Sequence, residues 1–129
     1  MSLGKDIYEE LSLNTFKELQ NNLNNKILIV KFGATWCKPC KTIKNTCEQW
    51  FGEMPNNVIC VDIDIDECLD LYMALKTKKM VKGIPAILAY YGDVKRDQWY
   101  IPDDSVSGGD IENVNKFFER CLSKANTLA

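Results

Sequence analysis

The clearest signal in the chain is Ile27-Leu28-Ile29-Val30-Lys31-Phe32, an almost unbroken apolar run rich in β-branched residues. It predicts a central strand buried on both faces. Upstream, Asp6 to Leu11 reads as a short edge strand. Asn14 reads as the N-cap of a helix to about Leu23, with Phe16, Leu19 and Leu23 on one face. Beyond Gly33 a helix is expected from the Cys37–Cys40 segment to about Phe51. Pro39 fits only its first turn, where a missing N–H costs nothing. Val58 to Asp66 alternates, with Val61, Ile63 and Ile65 opposed to Asp62, Asp64 and Asp66, which predicts a strand at least as far as Asp64. Glu67 to about Lys79 has helical spacing. Ala86 to Tyr91 is another apolar strand, and Gly92-Asp93 reads as a hairpin turn into a strand over Val94 to Ile101. Asp110 should cap a last helix whose stripe is Ile111, Val114, Phe117, Phe118 and Leu122. The order β-α-β-α-β-α-β-β-α favours an α/β fold, a mixed sheet with helices on both faces.

Length and composition narrow this picture. A chain of 129 residues predicts a single domain over 1–129, long enough to bury a core without disulfide staples. No apolar run approaches the roughly 18 to 20 residues that span a bilayer. The N-terminal residues lack a signal peptide's apolar stretch, so a cytoplasmic monomer is expected. The net charge of −2, with both signs dispersed, gives no footprint for nucleic acid or a membrane surface. Six cysteines with no histidine remove Cys–His nucleophile pairs and Cys/His zinc sites.

Three stretches carry a resemblance. They are the strand to Phe32 with Ala34-Thr35-Trp36-Cys37-Lys38-Pro39-Cys40-Lys41, the segment Val61-Asp62-Ile63-Asp64-Ile65-Asp66-Glu67-Cys68, and Val81-Lys82-Gly83-Ile84-Pro85 before Ala86. In this order they resemble the thioredoxin family over roughly residues 6 to 122. The resemblance implies the thioredoxin fold and a thiol–disulfide oxidoreductase that reduces protein disulfides. It implies disulfide-containing target proteins, a thioredoxin-reductase-type electron donor, and no metal or cofactor. Two residues between cysteines at a helix start let the sulfurs meet, and the helix N-terminus favours a thiolate, which is the nucleophile. By the family pattern Cys37 is the exposed nucleophile and Cys40 the buried resolving thiol. Pro39 stiffens the turn and Trp36 is a half-exposed shield. Pro85 of Gly83-Ile84-Pro85 is in cis, setting the Ile84 backbone where a substrate chain can pair.

The sequence also departs from that pattern. Lys38 stands where thioredoxins most often have glycine, which should modestly favour the Cys37 thiolate. Lys31 stands where the family usually buries an aspartate beneath the cysteines. A buried cation needs a partner, and Asp62 on the facing strand is expected to supply it, a charge-swapped pair that could still handle the proton of Cys40. The stretch Ile101 to Gly109 reads as about eight residues longer than the family's link from last strand to last helix, at the border of the substrate groove. Cys47 reads as core packing and Cys60 as a buried strand residue, Cys121 falls on the last helix, and Cys68 reads as inert or regulatory. A zinc or iron–sulfur half-site would need two further soft ligands, and a structural disulfide across so short a loop would constrain little. The non-enzymatic alternative is a redox-inactive or specialised interaction module resembling the spliceosomal thioredoxin-like protein. Such a module would not need both cysteines.

Overall fold

A computed structural model describes residues 7–129. Its elements are β1 (Ile7–Tyr8), α1 (Leu13–Asn21), β2 (Ile27–Gly33), α2 (Lys38–Glu53), β3 (Val58–Asp64), α3 (Asp70–Thr77), β4 (Ala86–Tyr91), β5 (Asp104–Ser107) and α4 (Ile111–Leu128). Every residue of β2 is buried. It pairs with β3 in parallel and with β4 antiparallel, in the sheet order β1-β3-β2-β4-β5.

A strand buried on both faces needs a layer over each. Leu28, Val30 and Phe32 pack with Phe16 of α1 and with Leu71, Tyr72 and Leu75 of α3. Ile27 and Ile29 point the other way, to Ile43, Cys47 and Phe51 of α2 and to Val114, Phe117 and Phe118 of α4. Each large apolar side chain so covered contributes about 1.5–3 kcal/mol. The predicted mixed sheet with helices on both faces is the architecture found.

Several boundaries differ for local reasons. Ser12, not Asn14, caps α1, its Oγ accepting the Thr15 N–H at 3.1 Å. β1 is shorter than expected, pairing only with Cys60 and Val61; Asp6 lies outside the described residues. α3 begins at Asp70 because Asp64 holds the chain in a turn. Its carbonyl accepts the N–H groups of Glu67 and Cys68, and its Oδ1 accepts that of Asp66 at 2.9 Å. Asp110 caps α4 as predicted, but Ile111 is exposed and Cys121 and Ala125 complete the buried stripe.

The largest correction concerns the second strand of the hairpin. Val94 to Ile101 is not a strand; β5 is the polar segment Asp104–Ser107. The residues between are folded back by Arg96, which donates to Ile101 O at 2.6 Å, to Tyr91 O at 3.2 Å and to Asp103 Oδ2 at 2.6 Å. The same Asp103 oxygen accepts the Tyr91 N–H at 2.7 Å. Gln20 of α1 donates to Trp99 O at 2.7 Å, and the Trp99 ring meets Phe16 edge-on. The long connection is therefore the loop over 92–103 between β4 and β5, and only Gly108 to Asp110 link β5 to α4. Tyr91 pairs with Ile27, whereas Ala86 pairs with Phe32 beside Gly33, so this loop lies at the end of the sheet remote from Cys37. Gly92 opens it because a side chain there would collide with the carbonyl oxygens of Asn24 and Lys26.

Asp103 thus closes the loop with two kinds of bond while largely buried. Asp103→Ala should lower stability by about 2 kcal/mol in urea unfolding, since it strands a guanidinium and an amide. A loss under about 0.5 kcal/mol, the range of an ordinary surface substitution, would contradict this account of the loop.

Candidate active site

The chain leaves β2 at Gly33 and turns through Ala34-Thr35-Trp36 into α2, the Cys37 N–H donating to Ala34 O at 3.2 Å. Cys37 is the N-cap, with extended backbone, and its Sγ accepts the Cys40 N–H at 3.3 Å. Pro39 sits in the first turn, where the predicted helix could accept it. Cys37 and Cys40 are joined as a disulfide with their Cα atoms 5.2 Å apart.

Three separated segments close on this pair. Ile65, from the turn after β3, and Ile84 pack against the two cysteines and Ala34. The Ile84–Pro85 bond is cis, and the Ile84 carbonyl oxygen lies 3.9 Å from Cys37 Sγ. The Gly108 N–H donates to Pro85 O at 3.0 Å with φ at +90°, a conformation that favours glycine. Next to it, a Cβ on Gly109 would come within 2.9 Å of Pro39 Cβ. A groove of about 410 Å³ runs from Gly83, Ile84 and Pro85 toward Ser105, Ser107 and Gly108.

The two sulfurs do not differ in exposure as the family pattern implied. Cys37 is 6% exposed and Cys40 5%, because both lie under Ile65 and Ile84 in the disulfide form. The exposed groups are their neighbours Trp36, Lys38 and Pro39. Trp36 is 65% exposed, more open than a half-exposed shield. Its indole N–H donates to Asp66 Oδ2 at 2.7 Å, which fixes the ring. The sequence placed Ile65 and Asp66 on opposite faces of a strand segment but gave neither a contact at the cysteines, nor one to Gly109; the Gly108-Gly109 pair was the one visible cue.

Lys31 lies beneath the pair on β2. It is buried, and its Nζ donates to Asp62 Oδ1 at 3.2 Å across the parallel β2–β3 register, in which Lys31 and Asp62 are direct partners. A cavity of about 360 Å³ is lined by Lys31, Asp62, Gly33 and Cys40 and reaches the surface at Lys41 and Lys44.

The remaining thiols differ in environment. Burial pushes the Cys47 and Cys121 thiols up to about 12, against some lowering by Lys31 and Arg120 respectively. Cys60 is buried in the same core. Cys68 is partly exposed, and its S–H faces Leu11 O at 3.8 Å. Among the described residues no group of three or more His, Cys, Asp or Glu side chains is placed to hold a metal ion, and no helix is long and apolar enough to cross a membrane.

A disulfide across the first turn of a helix, at the end of a central strand and beside a cis-proline loop, defines a class of redox-site domain. The chain belongs to the thioredoxin family: the family model described as Thioredoxin matches residues 8–104. It is similar to Thioredoxin 3 of Plasmodium falciparum, 29% identical over 125 residues, covering 95% of this chain and 64% of that protein. It is 36% identical to rabbit (Oryctolagus cuniculus) thioredoxin over 69 residues, covering 54% of this chain and 65% of that one. The chain thus spans a little under two thirds of the length of these relatives. The solved thioredoxin of Malassezia sympodialis shares its fold, with a TM-score of 0.68 and 20% identity over 95% of each chain.

The thiol environments predict a labelling order. After mild reduction, iodoacetamide near neutral pH should modify Cys37 first and Cys68 more slowly, leaving Cys47 and Cys121 unmodified until the chain unfolds. Mass spectrometry reads this directly. Native-state labelling of Cys47 or Cys121 at the rate of Cys68 would contradict the burial described.

Proposed function

We propose that the chain is a thiol–disulfide oxidoreductase that reduces protein disulfides, cycling between the Cys37–Cys40 disulfide and the dithiol. The observation that carries this reading is the disulfide closed across the first turn of α2 with Cys37 at the N-cap. In the reduced chain the unpaired N–H groups and positive end of α2 favour a Cys37 thiolate. That thiolate attacks one sulfur of a client disulfide, forming a mixed disulfide and releasing the other client sulfur as a thiolate that water protonates. Cys40 then gives up its proton and attacks Cys37 Sγ, and the second client sulfur leaves with the bonding pair. Two electrons have passed to the client, and the Cys37–Cys40 disulfide is restored. A thioredoxin-reductase-type donor returns two electrons. The Cα separation of 5.2 Å supports closure without rearrangement of the backbone.

The groove beside Ile84 supports a client held in extended form along Gly83-Ile84-Pro85, next to Cys37. Trp36 and Pro39 present an exposed rim to that client. Lys38, exposed and adjacent to Cys37, favours its thiolate modestly and in a salt-dependent way. Cys47, Cys68 and Cys121 are thiols, which supports a reducing compartment such as the cytoplasm.

Insulin reduction by dithiothreitol tests the reading. Catalysis should be lost on Cys37→Ser, by at least about 100-fold given that the nucleophile is removed. Cys40→Ser should retain clients on Cys37 as mixed disulfides that dithiothreitol releases. No catalysis above the dithiothreitol background in the unsubstituted chain would sink it.

A further inference from the structure

Among the described residues Lys31 is the one charged side chain in the buried class. It lies on the β2 face that carries α2, since Ile27 and Ile29 on the same alternation pack there. A point one Cβ bond from the Gly33 Cα is 3.5 Å from Cys40 Sγ and 3.8 Å from Lys31 Nζ. The resolving sulfur and the buried ammonium therefore border the same small space. The other charged groups facing it are Asp62 and Asp64 from β3, Lys41, Lys44 and Glu48 from α2, and Glu9 just beyond β1. Lys41, Lys44, Glu48 and Glu9 are exposed, so water screens them. Asp62 is also the more solvated member of its pair, its side chain 28% exposed against 7% for Lys31. Asp64 is half-buried, and its Oδ1 is turned to the Asp66 N–H at 2.9 Å. The ammonium is thus the one charge of the buried class that borders this space, where screening by water is weakest. Cys47, the next thiol along α2, feels it too: burial raises that thiol most, Lys31 pulls it down, and Asp62 and Glu48 oppose Lys31 with smaller effects.

We propose that Lys31 is an electrostatic positioning residue for the resolving step, holding the Cys40 thiolate by its charge, while Asp62 anchors the ammonium and does not take the thiol's proton. An ammonium has three donors and no acceptor, so it cannot act as the base. Among the described residues the Asp62 carboxylate is held by Lys31 through Oδ1 and makes no hydrogen bond with Cys40. The Cys40 proton leaves to solvent through the cavity that opens past Lys41 and Lys44. The freed sulfur pair forms the bond to Cys37 Sγ, the Cys37–client bond breaks, and the departing client thiolate is protonated by water. The inference rests on the exchange reading above and adds to it which group favours deprotonation of Cys40.

Reduced protein mixed with an equimolar aryl disulfide of the Ellman type separates the two steps by absorbance. The first thiolate released reports attack by Cys37, and the second reports attack by Cys40. Lys31→Met should raise the pH midpoint of the second phase by at least about one pH unit, the size of effect a nearby opposite charge has on a thiol, and leave the first phase nearly in place. The double variant Lys31→Met with Asp62→Asn removes the stranded carboxylate and should still show the rise. Asp62→Asn alone should leave the second midpoint unchanged or lower it, because the ammonium loses its neutralising partner. A second phase unmoved by both variants lacking Lys31 overturns the proposal. So does a midpoint raised by Asp62→Asn alone, which would make the carboxylate the base. Absence of any second release in the unsubstituted chain would overturn the exchange reading itself, a result distinct from either.

Discussion

The burial of β2 on both faces is the constraint on which the rest of the structure depends. A seven-residue strand with no face left to water forces a helical layer on each side, and alternate residues assign the partners. It also fixes where the chemistry lies. The chain leaves the strand at Gly33 and enters α2 within a few residues, so the first turn of that helix opens at the end of the fully buried strand. Lys31 is where this constraint is hardest to meet. Its charge is carried into the interior, and the register that places Asp62 directly opposite makes this tolerable.

Sheet order then gathers segments far apart in the sequence. Parallel β3 delivers Ile65 and Asp66 to the Gly33 end. Antiparallel β4 begins there, just after the cis peptide bond before Pro85, and β5 returns to it with Gly108 and Gly109. The cysteine pair is covered by the Ile84 carbonyl and by the apolar side chains of Ala34, Ile65 and Ile84, while Gly109 leaves room for Pro39 between the cysteines. A site enclosed in this way leaves its electrostatics to the helix end above the sulfurs and to the buried ion pair beneath them.

Much of this was legible in the chain. β2 and β4 announced themselves as apolar runs and β3 as an alternation, because burial leaves a direct imprint on residue type. Asp110 announced the start of α4, because a helix end needs a side-chain acceptor. The segment after Gly92 misled for the same reason in reverse. The Gly92-Asp93 turn signal suggested a hairpin, but Trp99 meets Gln20 and Phe16 of α1, and Tyr100 lies under Lys78 and accepts from the Tyr90 hydroxyl, while the true edge strand, Asp-Ser-Val-Ser, carries one half-buried apolar side chain. Edge strands pair through backbone groups, and a polar sequence does not reveal them. Likewise Asp66 reaches Trp36 only through the three-dimensional turn after β3, and no spacing rule signals that bond.

The central claim is that the first turn of α2 prepares Cys37 as a thiolate. Titrating the absorbance of the reduced chain near the thiolate band, with Cys37→Ser as the reference to subtract, measures this without any substrate. The account predicts a Cys37 midpoint clearly below the ordinary cysteine value of about 8.5. A midpoint at or above that value would show that the helix end does not activate the sulfur, and would contradict the account.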